Sequence, residues 1–313
     1  MKALVTGAAG FIGSHLAERL VVDGATVVGI DSFSDFYPRA TKERNLARLH
    51  RSTAFSLIES TLADADLAAL LDGVTHVFHL AAQAGVRHSW GKEFRIYTVN
   101  NLEATQLLLE ACIGKPIERL VYASSSSVYG DAVPLPMRED ARPQPVSPYG
   151  VTKLAAEQLC SLYHVTYGVP AVALRFFTVF GPRQRPDMGF SQFLQAALDG
   201  GVVRQFGDGR QTRDFTFVAD AVAATVAAAG HGTPGGVYNI GGGSRVELLA
   251  VFELIRRVTG RPMQVERTDP QRGDMRDTYA DTARAKADLA FAPTVTLEEG
   301  LRAQYEWMTS GHD

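Results

Sequence analysis

The first 31 residues place the tightest constraint on how this chain can fold. Residues 2–6 form a short apolar run, Gly7-Ala-Ala-Gly10-Phe-Ile-Gly13 follows, and an apolar-periodic segment occupies residues 14–22. That order predicts strand, glycine turn, helix. Gly7 and Gly10 permit a tight turn and let the backbone approach a pyrophosphate, whose negative charge suits a helix N-terminus; Gly13 permits close helix packing. Phe11 and Ile12 lie in the same turn and join the glycines as expected cofactor-binding positions. A second β-branched run, residues 26–30, ends on Asp31, eighteen residues past Gly13. An acidic side chain there can bind both hydroxyls of an adenosine ribose and repels a 2′-phosphate, which favours NAD over NADP. Ser32 follows at the same strand end.

Three further apolar runs, residues 54–58, 74–81 and 119–123, alternate with predicted helices at 66–71 and 103–113, and residues 169–177 add another strand. Strands alternating with helices predict a parallel sheet covered on both faces, an α/β fold of the Rossmann-type, doubly wound kind. In such sheets ligands bind beyond the carboxyl ends of the strands. Thr61-Leu62, Leu80-Ala81-Ala82-Gln83, Ala123-Ser124-Ser125 and Arg175-Phe176-Phe177-Thr178 all fall at strand ends and should border one crevice. Beyond residue 178 the chain is punctuated by Gly181-Pro182, Arg185-Pro186, Gly200-Gly201 and Gly207-Asp-Gly209, which suits a smaller C-terminal substrate-binding lobe. Short strands are predicted at 215–218 and 237–240, and helices at 247–259 and 297–308. Residues 1–176 are thus expected to form the NAD-binding domain, with about 212–241 returning to it, and residues 177–313 mainly the second lobe.

Composition excludes several classes of partner. A net charge of −3 with arginines scattered along the chain gives no attraction to nucleic acid. No run approaches the roughly 18 apolar residues of a membrane span and no signal segment opens the chain, so a cytoplasmic protein without membrane association is expected. Cys112 and Cys160 sit in predicted apolar helices as free thiols. No His/Cys/Asp cluster has metal-ligand spacing, so no metal is expected.

Chemistry enters with Ser-Pro-Tyr149-Gly-Val-Thr-Lys153 and the serine run at 124–127. If Tyr149 opens a helix, Lys153 lies one turn later on the same face. A nearby cation favours a phenolate, so Tyr149 becomes a candidate acid or base. Alone, Tyr-x-x-x-Lys is a short pattern that recurs on ordinary helices.

Assembled in order, GAAGFIG, Asp31, HLAAQAGVR, VNNLEAT, YASSSSVYG, SPYGVTK, RFFTVFGPRQRPDM, GDGRQTRDFTFV, YNIGGG and QRGDMRDTYAD resemble the extended short-chain dehydrogenase/reductase family, and within it the nucleotide-sugar 4-epimerases. The match covers nearly the whole chain. The resemblance implies Tyr149, Lys153 and Ser125 as catalytic residues. Ser125 would relay a sugar hydroxyl proton to Tyr149, and Lys153 would fix the nicotinamide ribose and lower the phenol pKa. Ser126 and Ser127 hold a claim to the same relay. Asn100 is expected to help organise the cofactor site, and Arg213 and Arg272 to hold the nucleotide diphosphate through guanidinium forks. Val86, Arg87, Thr178 and Phe206 complete the expected substrate contacts. Family members commonly dimerise through two helices, here 103–113 and 154–167, so a homodimer is implied.

The choice of reaction rests on few positions. Dehydratases of the family carry an Asp-Glu pair after the catalytic threonine and uronate decarboxylases a glutamate, where this chain has Ser126 and Ser127, which are poor acids and bases. The segments around Phe36, Gln83 and Arg185 look most like UDP-glucuronate 4-epimerases, with Arg185 expected on the C5 carboxylate. Alternatives are an epimerase of UDP-glucose or a UDP-N-acetylhexosamine, a UDP-glucuronate decarboxylase, and a non-catalytic NAD-binding sensor or scaffold. Many relatives hold the adenine amine with an aspartate near Thr61, where this chain has only a hydroxyl and backbone.

Overall fold

The computed structural model describes residues 1–310; the last three residues of the expected 177–313 lobe lie outside them. In chain order the elements are β1 (Lys2–Thr6), α1 (Phe11–Val22), β2 (Thr26–Asp31), α2 (Arg39–Leu46), β3 (Phe55–Glu59), α3 (Leu67–Leu70), β4 (His76–His79), α4 (Phe94–Tyr97), α5 (Ala104–Cys112), β5 (Arg119–Ser125), α6 (Pro148–Tyr167), β6 (Ala171–Phe176) and β7 (Thr178–Phe180). There follow α7 (Gly189–Asp199), β8 (Val202–Phe206), β9 (Thr212–Phe217), α8 (Val218–His231), β10 (Val237–Ile240), β11 (Arg245–Glu247), α9 (Leu248–Thr259), β12 (Gln264–Thr268), α10 (Ala283–Leu289) and α11 (Leu297–Thr309).

Seven strands form one sheet in the order β10-β6-β5-β4-β1-β2-β3, and every neighbouring pair is parallel. The expected doubly wound α/β sheet is therefore present. Its central strands are apolar almost throughout, β6 being buried at every position, because helices cover both faces. On one face Leu16 and Leu20 of α1 and Val222 and Ala228 of α8 pack on Val5, Phe78 and Leu174. On the other, Leu108 of α5 and Ala156 and Cys160 of α6 pack on Leu4, Leu120 and Tyr122. The chain runs outward from β1 through β2 to β3, then returns to build β4, β5 and β6 on the other side, so the order reverses between β1 and β4. A crevice at that reversal is where such a sheet takes ligands.

The smaller lobe has its own core of Phe180, Phe190, Leu194, Val203, Phe215, Val251, Phe252 and Ile255. It contains a three-stranded sheet, β11-β9-β7, and the parallel pair β8 and β12. The division at 212–241 is finer than the sequence suggests: β9 pairs with β7 and β11, whereas α8 packs on α1 and β10 on β6. The helix expected at 103–113 is present as α5, and helical backbone reaches it from Phe94 through a π-turn at Thr98–Glu103. Both cysteines are buried free thiols, and no helix among the described residues is long and apolar enough to cross a membrane.

One buried ion pair locks α6 to the sheet. Glu157 of α6 and Arg175 of β6 meet at 2.6 Å with side chains 2% and 4% exposed. Ser124 of β5 donates to Glu157 at 2.6 Å, and Arg175 also donates to the Tyr129 hydroxyl, which donates to Asn239 of β10. Removing one member strands a charge in the interior, a loss of about 3–5 kcal/mol, whereas an apolar pair of similar volume can be near neutral. Urea titrations should therefore show Arg175→Met far less stable than the parent, and Arg175→Met with Glu157→Met recovering much of the loss.

Candidate active site

The reversal point opens into a crevice of about 650 Å³. Every residue expected at the cofactor or substrate site lines it, with two exceptions, Arg213 and Arg272.

At the adenosine end the glycine turn is as tight as its sequence demands. A Cβ on Gly13 would lie 2.1 Å from the Gly7 carbonyl oxygen, so only glycine lets α1 start so close to β1. Gly10 caps α1 without any side-chain hydrogen bond, which leaves first-turn N–H groups for an anion. Asp31 is buried; its carboxylate accepts from the N–H groups of Ala9 at 3.1 Å and Phe33 at 2.9 Å. Lys42 of α2, itself buried, stands 3.5 Å from Asp31. These partners orient the carboxylate while its remaining lone pairs can accept ribose hydroxyls, so the residues present fit NAD. Sequence reasoning missed Lys42, because α2 is too polar to show apolar periodicity. The Thr61 hydroxyl closes a local turn with Asp64 at 2.5 Å, which leaves backbone and Leu62 at that wall.

The reacting end is built where β5 meets α6. Ser147 caps α6, accepting from Gly150 N–H at 3.1 Å, and Pro148 fits the first helical position. Gly150 lets this turn press on the serine loop: a Cβ there would lie 2.4 Å from the Ser127 carbonyl oxygen. Tyr149 is thereby brought close enough to Ser125 for its hydroxyl to favour the ionised phenol, and that hydroxyl accepts from Ser127 N–H at 3.1 Å. All four serines of the run line the crevice, and Ser125 is the one that acts on Tyr149.

Burial raises the Tyr149 phenol, and the influences that oppose it are the Ser125 hydrogen bond and the charge of Arg185. The Lys153 ammonium lies 4.7 Å from the centre of the Tyr122 ring, and burial lowers its pKa to about 8. The i,i+4 spacing put both side chains on one face, but Lys153 runs down against β5. No hydrogen-bond or ion-pair partner holds its ammonium among the described residues, so its donors are available to a ligand.

Asn100 lines the crevice, but the hydrogen bonds that order this wall belong to Asn101, which the sequence reading passed over. Asn101 accepts from Gln83 N–H at 2.7 Å and donates to the Gln83 carbonyl and the Thr152 hydroxyl. The π-turn explains the shift, since an extra residue per turn rotates Asn101 inward.

Towards the second lobe, Arg87 pairs with Asp274 at 2.7 Å and stacks its guanidinium 4.0 Å from the centre of the Phe206 ring. Arg185 makes a bidentate pair with Asp187. Arg213 does not face the crevice; a half-buried guanidinium must place its donors, and the carbonyls of Thr212, Met275 and Arg276 take them. Arg272 is exposed, in the loop whose Gly273 packs beside Val86 and Ser147.

The profile of the NAD dependent epimerase/dehydratase family matches residues 3–241. A solved structure of UDP-glucuronic acid 4-epimerase from Bacillus cereus, in complex with UDP-glucuronic acid and NAD, is 42% identical and superposes with a TM-score of 0.96 over 98% of this chain and 99% of that one. YtcB of Bacillus subtilis, named as an uncharacterized UDP-glucose epimerase, is 45% identical over 99% of this chain and 98% of its own length. A probable UDP-glucuronate 4-epimerase of Rhizobium meliloti is 36% identical over 98% and 96% respectively.

The buried lysine has a measurable signature. Its folded pKa of about 8 lies below the ordinary 10.5, so between those values the unfolded chain binds more protons and stability rises with pH. Lys153→Met should therefore be more stable than the parent at pH 7, with an advantage that narrows as pH rises from 8 towards 10.5. Parallel urea titrations across that window test this; a constant difference would contradict a desolvated ammonium.

Proposed function

The chain belongs to the NAD-dependent epimerase/dehydratase family, and on that premise we propose that it is a UDP-sugar 4-epimerase that interconverts UDP-glucuronate and UDP-galacturonate. The observation that carries the choice of sugar is Arg185, a guanidinium on the crevice wall whose charge acts on the Tyr149 phenol. A fixed cation beside the proton-handling group is where a uronate carboxylate, one carbon from the reacting centre, would find a partner.

NAD held by the glycine turn and Asp31 supplies, when bound, a reversible hydride acceptor for sugar carbon 4. The chain's own residues manage the proton. Tyr149 takes it from the 4-hydroxyl, with Ser125 as hydrogen-bond partner of the phenol and of the sugar oxygen. Burial alone would keep the phenol protonated, so the opposing pull of Arg185 and Ser125 makes its ionised form reachable. Lys153, with its free donors, would hold a ribose hydroxyl. Inversion requires the ketone formed at carbon 4 to present its other face before Tyr149 returns the proton. That ketone is a β-keto acid, and Arg185 holding the carboxylate hinders loss of carbon dioxide. Ser126 and Ser127, where an acid or base would be needed for elimination, lack that chemistry.

Arg213 and Arg272 would reach a diphosphate by exchanging carbonyl or solvent contacts for phosphate oxygens, and Phe206 offers a flat face for the base. A second reading has one observation in its favour: Arg185 is already paired with Asp187, which suits a neutral hexose. We also infer a homodimer built on α5 and α6, since Val151, Leu162, Val165 and Tyr167 of α6 are exposed apolar residues. A sedimentation mass of one chain would overturn that.

Tyr149→Phe should lower kcat by roughly 10²–10⁴-fold with little change in NAD affinity; full activity would remove Tyr149 from the mechanism. Arg185→Met should selectively lower kcat/KM for UDP-glucuronate relative to UDP-glucose, assayed separately. If UDP-glucose alone is turned over by the parent, the neutral-sugar reading replaces this one.

A further inference from the structure

Arg185 and Asp187 belong to the loop between β7 and α7, and their side chains are clamped together. Nε of Arg185 donates to Oδ1 of Asp187 and Nη2 to Oδ2, both at 2.9 Å. A guanidinium has two forked edges; this pairing consumes one and leaves the Nη1 side for a ligand. Both residues line the crevice, and both are largely buried, with side chains 19% and 26% exposed.

The two charges act on the same surroundings with opposite sign. Arg185 favours ionisation of Tyr37, in the loop after β2, and Asp187 opposes it. The same opposition is felt at Tyr97 of α4. At Tyr149 the facing groups are Arg185, the Ser125 hydroxyl of β5 and the edge-on ring of Tyr97; Lys153 lies lower on the same helix and Tyr122 behind it. Phe36, whose centre is 5.8 Å from the Arg185 guanidinium, supplies an apolar flank.

We propose that Asp187 is a specificity-determining residue: it orients the Arg185 fork with one edge towards the sugar and cancels much of its charge, so that the site accepts a neutral hexose beside a uronate. The proposal rests on the reading of Arg185 as the group that meets the sugar's C5 substituent. A bare buried guanidinium would favour a carboxylate strongly and would be left under-satisfied by a hydroxymethyl group. With Asp187 attached, the pair is near neutral and the open edge needs only a hydroxyl acceptor. A uronate then gains the fork but also approaches Asp187, a like charge.

The test compares Asp187→Asn, which keeps the shape and removes the charge, with Asp187→Glu, which restores it, and Arg185→Met as control. The ratio of kcat/KM for UDP-glucuronate over UDP-glucose should rise roughly tenfold in the Asn variant and return towards the parent value in the Glu variant. With UDP-glucose the acidic limb of the kcat profile should move to lower pH by about half a unit or more, because the uncancelled cation favours the Tyr149 phenolate. Equal effects on both substrates with an unmoved acidic limb would make Asp187 a loop clip and overturn the proposal, even where Arg185→Met has selectively lost UDP-glucuronate. Retained UDP-glucuronate turnover in Arg185→Met would instead overturn the reading of Arg185 itself.

Discussion

The active-site geometry depends on how α6 is held against the sheet. Its outer end is fixed by Gly150 pressed on the Ser127 carbonyl, and its next turns by Glu157, which takes hydrogen bonds from Ser124 of β5 and Arg175 of β6. A helix moves as a unit, so these two attachments set where Tyr149 and Lys153 lie relative to the strand ends. Charge buried in this way is not evidence of added stability. What it does provide is register: a slide of α6 by one turn would leave Glu157 and Arg175 apart in an apolar interior, a penalty far larger than the packing differences between neighbouring registers. The same strand that carries Ser124 into the support carries Ser125 into the site.

Desolvation then sets the resting chemistry. Burial pushes the Tyr149 phenol up and the Lys153 ammonium down, so it favours the neutral form of both. The influences that oppose burial at the phenol include the Ser125 hydroxyl beside it and Arg185 across the crevice. On the proposed role of Arg185, proton handling and recognition of the sugar's C5 substituent would be coupled through a single guanidinium. Any change at Arg185 or its carboxylate partner should be felt in both.

Much of this was legible in the sequence, for identifiable reasons. Glycines in a turn and an acid at a strand end are short-range demands of a backbone meeting a dinucleotide, so Gly7, Gly10, Gly13 and Asp31 reveal themselves by spacing alone. Lys42 does not, because its burial is created by the loop after β2 folding over a helix whose own sequence is polar. Asn101 was hidden by its neighbour: in a regular helix Asn100 has an equal claim, and only the π-turn at Thr98–Glu103 decides between them. The alanine-rich α8, the short α10 and the strands β8 and β12 also escaped, since their partners come from distant parts of the chain. For Arg213 and Arg272 a motif identified the residues, while the direction of their side chains depends on the carbonyls and loop around them.

The loop that carries Arg185 is the point at which the two lobes define one site. Arg183, just before it, adopts a left-handed backbone with φ of 64° and reaches back to Glu18 of α1 at 2.7 Å. Gln184 turns the other way, donating to the Val179 carbonyl and accepting from Ser191 N–H and from Gln304 of α11. Gln304 in turn accepts from Gly181 N–H at 3.1 Å. The guanidinium that follows is therefore positioned by α1 of the sheet domain and by α7 and α11 of the smaller lobe at once. A left-handed non-glycine residue costs roughly 1–3 kcal/mol and persists only where its surroundings over-determine it; here they do so from both sides. The position of the Arg185 fork is therefore a property of the lobe arrangement rather than of its own loop alone.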